Sequence, residues 1–213
     1  MSFFKKLFNK DSNTQRQLNQ PQDLMINDII IFSDSFALPE NLRNSQFQVA
    51  HINTHEFEHS QITEWQLDGS ANQQIYLSLE QGQQQYLKLT MKIADGCIEE
   101  LFNLDEFSEI FDAPGNALLS RIAETSPTLG WTSEQYQQTT FAQMGYFHRQ
   151  DHRTNKPSEF EGEDSGEVFE FYSLRGVDDQ YSIDIQIWQD GDTDVFLNLY
   201  RPTSDIKEYY PGS

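Results

Sequence analysis

The sequence predicts a mainly β protein of the α+β class, with two antiparallel β regions joined by short helices. Three observations predict it. Tyr181, Ile183, Ile185 and Ile187 alternate with Ser182, Asp184, Gln186 and Trp188, and Val195, Leu197 and Leu199 alternate again beyond Asp190-Gly191. Period-two alternation on both sides of a glycine-bearing turn is a strong hairpin signal and implies one buried face. Four or five short runs of the same kind lie between Asp28 and Ile93, which suggests a small antiparallel barrel or a curled sheet. Between Glu99 and Thr125 the apolar spacing becomes helical.

Each element follows from local pattern. Asp28 to Phe32 is a short strand. Gln46 to Ile52 is a second, with Phe47 and Val49 set against Gln46 and Gln48. Gln61 to Asp68 carries Ile62, Trp65 and Leu67, and Asp68-Gly69 turns the chain. Ile75, Leu77 and Leu79 mark the next strand, Gln81-Gly82 the next turn, and Leu87, Leu89 and Met91 one face of the strand from Tyr86 to Ile93. One to three short helices follow, with Leu118, Leu119 and Ile122 placed on the last of them. Thr139 to His148 returns to β, a charge-segregated loop runs from Arg149 to Glu167, and Val168 to Leu174 begins a final meander. The expected organisation is an amphipathic segment and linker over 1–22, a barrel-like domain over 23–95, a helical connector over 96–135 and a β-meander region over 136–213.

Composition narrows the function classes. Acidic residues number 34 against 14 basic ones, a formal charge of -20 that repels phosphates and disfavours nucleic acid as a partner. Sixteen Phe and nine Tyr supply core bulk that the aliphatic content lacks. Cys97 is the only cysteine, so an intramolecular disulfide or a thiolate zinc cluster is impossible, which fits a reducing cytoplasm. The densest apolar run, Ile29 to Phe32, is too short to span a bilayer.

One motif suggests catalysis. His55-Glu56-Phe57-Glu58-His59 matches H-E-x-x-H, which on a helix sets two imidazoles one turn apart for zinc, with the glutamate as general base. Its flanks, Asn53-Thr54 and Ser60-Gln61, and the charge of Glu58 suit a polar hairpin tip better than a buried helix. Extended residues four apart lie roughly 13 Å from each other, too far to share an ion. His148, Asp151 and His152 form a second loose cluster, read as a basic loop paired with the acidic stretch after it. Asp190, Asp192 and Asp194 resemble the first ligands of a calcium loop but lack its glycine and terminal glutamate, and turn chemistry explains them.

The first ten residues, MSFFKKLFNK, point to an anchor. Drawn as a helix, Phe3, Phe4, Leu7 and Phe8 share one face, while Lys5, Lys6 and Lys10 lie elsewhere. Ten residues cannot hold a helix alone in water, but an anionic membrane surface or a protein partner can order them. Each lysine near such a surface adds ~1 kcal/mol. These residues carry +3 of a total of -20, so the remaining chain carries -23 and is repelled by the same surface. A polar linker over Asp11 to Gln22 relieves the conflict, because 12 flexible residues span about 20 Å whereas screening decays over about 8 Å.

The runs Asn27-Asp28-Ile29-Ile30, Phe47-Gln48-Val49, Thr63-Glu64-Trp65-Gln66-Leu67 and Ile75-Tyr76-Leu77-Ser78-Leu79-Glu80 together resemble a bacterial β-rich family of unknown function that includes YjfK-like proteins. Members tend to read G-D-x-I, Y-x-V, W-x-E-Y-x-L and W-L-x-x-E. Here Asn27 stands in place of Gly, Tyr76 in place of Trp, and the order Glu64-Trp65 departs from the pattern. The similarity covers roughly Leu24 to Ile93. It implies an accessory role at the inner face of the membrane and carries over no catalytic residue.

The sequence therefore leads to a non-enzymatic accessory or adaptor protein, cytoplasmic and peripheral at the inner membrane, using no cofactor. The alternatives are a zinc-dependent hydrolase built on His55, Glu56 and His59, and an acidic module that binds a basic protein partner.

Overall fold

A computed structural model describes residues 16–157, 160 and 166–212, and in it the two β regions share one sheet. The strands are β1 (Ile29–Phe32), β2 (Gln46–Phe57), β3 (Ser60–Asp68), β4 (Gln74–Gln81), β5 (Gln85–Ile93), β6 (Leu118–Ser120), β7 (Gln135–His148), β8 (Glu167–Gly176), β9 (Tyr181–Trp188), β10 (Thr193–Pro202) and β11 (Ile206–Tyr210). Helices α1 (Asp95–Leu101) and α2 (Leu104–Ser108) sit between β5 and β6. The sheet order is β11-β1-β2-β3-β4-β5-β10-β9-β8-β7-β6, with a further β2–β7 pairing. That pairing closes eight antiparallel strands, β2 to β5 and β7 to β10, into a barrel. Neither region closes by itself, because β5 pairs with β10 and β2 with β7.

The closing seam is short. Thr54 to Phe57 pair with His148 to Gly145, four residues on each side. The earlier part of β2 pairs instead with β1, and the first residues of β7 with β6. Gly145 suits this crowded place: a Cβ there would lie 2.6 Å from the Phe169 ring and 2.9 Å from the Phe57 ring.

The two faces of the barrel wall differ in character. Leu77, Leu89, Leu197, Ile183 and Leu174 lie on the outer face and are fully buried. They belong to one apolar cluster with Leu24, Leu38, Phe102, Ile110 and Trp131, which come from the segment before β2 and from the connector. Trp65 fixes that cover by donating its Nε1–H to the Leu24 carbonyl at 3.1 Å, and Phe111 packs edge-on against Tyr172 at 5.2 Å. Each of these large apolar side chains contributes roughly 1.5–3 kcal/mol by leaving water. The alternate residues point inward and are largely polar or aromatic.

Several expectations need correction. Leu118, Leu119 and Ile122 are not helical: Leu118–Ser120 is β6, paired with Ser120 opposite Gln135. Three residues cannot show a period, and pairing with β7 decided the outcome. The polar stretch after Asp11 is not free linker over its described part. Leu18 and Pro21 are buried, and Arg16 pairs with the buried carboxylate of Asp28. A lone leucine among glutamines was lost in the average composition. Asp28 also accepts from the backbone N–H of Met25 and of Gly212, each at 2.7 Å, so one carboxylate holds both ends of the described chain. The strand β11 carried too short a pattern to be read. The segment holding Phe3, Phe4, Lys5, Lys6, Leu7, Phe8 and Lys10 lies outside the described residues.

Candidate functional site

Strand register brings a belt of polar side chains to the inner face. Glu64 stands opposite Asn53 and Ser78, and Ser78 opposite Lys88. Thr90 stands opposite Asn198, Asn198 opposite Ser182, and Asp184 opposite Ser173. Two cavities follow. One of ≈ 50 Å³ is lined by residues of seven barrel strands, among them His55, Glu64, Lys88, Phe171, Asp184 and Phe196. Side chains from so many strands meet only inside a closed barrel, which identifies this face as the lumen. The second, ≈ 330 Å³, shares His55, Glu64, Gln186 and Phe196 with the first and continues past Tyr76, Lys92, Phe147, Trp188 and Asp194 to Arg149 and His51.

The lumen is wired by hydrogen bonds. Gln186 Nε2 donates to His55 Nδ1 at 3.4 Å, across two intervening strands. With Nδ1 accepting, the His55 proton sits on Nε2 and is donated to Glu64 Oε2 at 3.1 Å, an assignment that rests on the network. Asn53 donates to the other Glu64 oxygen at 3.2 Å. Burial pushes the Glu64 carboxyl up, but the charge and hydrogen bond of His55, the hydrogen bond from Asn53 and the charge of Lys88 outweigh it, so the group is held below its ordinary value. Deeper in, Lys88 pairs with Asp184, which also accepts from Ser173 at 2.9 Å. Burial alone would lower the Lys88 ammonium, and Asp184 more than reverses this, so its pKa is raised. Thr90 donates to Asn198, Asn198 to Ser182 at 3.0 Å, and Ser182 meets the Tyr200 hydroxyl at 2.9 Å.

Aromatic rings fill the seam side of the lumen. Phe57, Phe169 and Phe171 pack together, with Phe57 and Phe171 at 5.4 Å, and Phe147 meets Trp188 edge-on at 5.9 Å. On the far wall Tyr76 and Phe196 meet at 6.2 Å. The rim carries two ion pairs, Lys92 with Asp194 and Arg149 with Glu167.

The H-E-x-x-H residues are dispersed. Residues 46–57 are strand, so His55 and Glu56 point to opposite faces of the wall. His55 enters the lumen, while Glu56 faces outward and bonds His148 Nε2 at 2.8 Å. His59 lies in the β2–β3 turn with its side chain 86% exposed, beside Glu58. The hairpin tip expected over this stretch is present. The second cluster is partly assembled: the His148 and His152 rings are 4.9 Å apart. It is no plain surface loop, since His148 is buried and Arg153 reaches the carbonyls of Gln22 and Leu24 beside the Trp65 ring. Asp151 is bonded to Arg153, which holds its carboxyl below the usual range. Asp190 accepts from the Asp192 N–H, as a turn aspartate does, and Asp194 from Trp188 Nε1. Among the described residues no group of three or more His, Cys, Asp or Glu is placed to hold a metal ion.

Glu64, Lys88, Asp184 and Gln186 gave no signal as site residues. On single strands, alternate polar residues look like a solvent face. The sign that could have revealed them is that complementary charges, Glu64, Lys88 and Asp184, occupy that face on three strands of both β regions.

No family model, no curated protein and no solved structure matches this chain.

Proposed function

We propose that the protein is a non-enzymatic accessory protein whose barrel is a binding scaffold. The observation that carries this reading is that the buried titratable groups are taken up by hydrogen bonds to one another. His55 is taken up by Glu64 and Gln186, Lys88 by Asp184, and Glu56 by His148. A general base must be free to reach a substrate proton, and a nucleophile must have a base beside it. Here the candidate bases brace strands against each other. Zinc analysis of the purified protein tests the rival hydrolase reading, together with His59→Ala: stoichiometric zinc lost in that variant would establish the hydrolase instead.

The place of action we propose is the cytoplasmic face of a membrane, or a partner bound there, reached through Phe3, Phe4, Lys5, Lys6, Leu7, Phe8 and Lys10. The amphipathic pattern of this segment supports the reading, as does the resemblance to the YjfK-like family. Because residues 16–22 belong to the body, the spacer is confined to residues 11–15, which reach at most about 17 Å. That length still exceeds the screening distance of about 8 Å. Among the described residues no helix is long and apolar enough to cross a membrane. Co-sedimentation with anionic liposomes, comparing the full chain with one starting at Gln15, tests the anchor: equal pelleting of both removes it.

A further inference from the structure

We propose that the 330 Å³ lumen cavity binds a flat, uncharged heterocycle with an amide or amidine edge, a nucleobase or its nucleoside. The inference deepens the binding-scaffold reading and rests on it. Three features of the cavity carry it.

The first is charge. The ionised groups at the cavity are already bonded: Glu64 accepts from His55 and Asn53, Lys92 pairs with Asp194, and Arg149 with Glu167. An ion entering would shed its water and find no uncommitted counter-charge. A neutral ligand escapes that cost. The same compensation explains how a chain of charge -20 keeps a lumen without an excess of either sign.

The second is open hydrogen-bonding capacity. Asn53 and Gln186 are each 6% exposed and line the cavity from opposite sides of the seam. Each spends one amide hydrogen on the lumen network, Asn53 on Glu64 and Gln186 on His55. Among the described residues, neither Asn53 Oδ1 nor Gln186 Oε1 accepts a hydrogen bond from a protein group, yet neither is sealed from solvent. A carboxamide offers two donors and a carbonyl oxygen, so each retains a donor and an acceptor side by side. That edge matches the edge of a nucleobase, as in the bidentate pairing of Asn or Gln with adenine.

The third is the wall. Tyr76 and Phe196 stand on one side of the cavity, Phe147 and Trp188 on the other. Aromatic faces accept any flat base by stacking, while amide edges select among them. The volume lies at the small end of ligand pockets, roughly 300–1,000 Å³, and suits one ring system rather than a polymer.

The test uses the full chain. Adenine, adenosine, cytidine and uridine are titrated by saturation-transfer NMR and by tryptophan fluorescence, with glucose and benzoate as controls. Trp188 is the lumen tryptophan, while Trp65 and Trp131 are buried in the outer cluster, so Trp188→Phe assigns the optical signal. The expected result is saturable binding of at least one base or nucleoside, with glucose and benzoate inert. Gln186→Leu should weaken it tenfold or more. If that variant does not fold, Phe196→Leu, which thins the wall and keeps the polar belt, should weaken it measurably. Base and nucleoside binding equally well would place the sugar outside the cavity, and a preference for the nucleoside would place it within; either supports the proposal. No saturation by any of the four at millimolar concentration, preference for glucose or benzoate, or indifference to both variants would overturn it. Chromatography of the recovered ligand separates this proposal from the broader reading: a nucleoside bound but returned altered would leave the site standing and end the non-enzymatic reading.

Discussion

Glu56 and His148 meet across the barrel seam, Oε2 to Nε2 at 2.8 Å, with both side chains more than nine-tenths buried. Both belong to a closure of only four residue pairs, and on the inner side of the same wall His55 is held by Glu64. Strand pairing this short needs side-chain bonds to fix its register.

His148→Ala leaves the Glu56 carboxylate buried without its partner. The expected loss is about 3 kcal/mol, the usual result of breaking a buried pair from one side. The double variant Glu56→Gln/His148→Ala should recover part of that loss. Urea unfolding of the three proteins checks both statements, and hydrogen exchange at Thr54 to Phe57 should rise in His148→Ala before the rest of the barrel opens.

Glu64 has a folded-state pKa below its ordinary value, so its contribution is present above the unfolded-state pKa and fades as pH falls through the folded-state pKa. Stability should therefore decline below about pH 4.5. Glu64→Gln should be less stable at neutral pH and show a shallower decline in acid. Lys88 has the opposite sign: its pKa is raised, so its contribution is complete at neutral pH and is lost only in strong alkali. Denaturation midpoints measured from pH 3 to pH 11, set against the ordinary values of 4.5 for Glu64 and 10.5 for Lys88, separate the groups.

Gly145→Ala pushes a methyl between two rings at 2.6 and 2.9 Å. Because the nearest atoms belong to side-chain rings, the fold should survive with a cost of about 1–3 kcal/mol. A thermal midpoint unchanged from the parent would show that the aromatic layer is loosely packed.

Leu18→Ala should destabilise the protein by about 2–3 kcal/mol, because Leu18 is 5% exposed within the apolar cluster. Removing residues 1–14 should leave the midpoint of unfolding where it was. Calorimetry of the two proteins distinguishes body from attachment.

Much of the fold was legible in the sequence. Alternation in β2 to β5 and in β8 to β10 was plain because each strand has one aliphatic face, and the glycine turns at Gly69, Gly82 and Gly191 bounded them. What escaped was non-local. Pairing of β5 with β10 joins residues about a hundred positions apart, and the seam joins Thr54 to His148. No local pattern encodes such contacts. The site escaped for the same reason: Glu64 and Asp184 acquire meaning only when closure turns an apparent solvent face into a lumen. His55 was singled out for a motif that the strand geometry disperses, and it stands in the lumen on other grounds.

Asp28 fastens Arg16 and the N–H of Gly212 to one carboxylate. A pull on the chain at Gly212 is thus delivered, through a single side chain, to Arg16. Joining Gly212 to Arg16 through a brief peptide while opening the chain at the Gly82 turn would give a permuted body that keeps every barrel pairing.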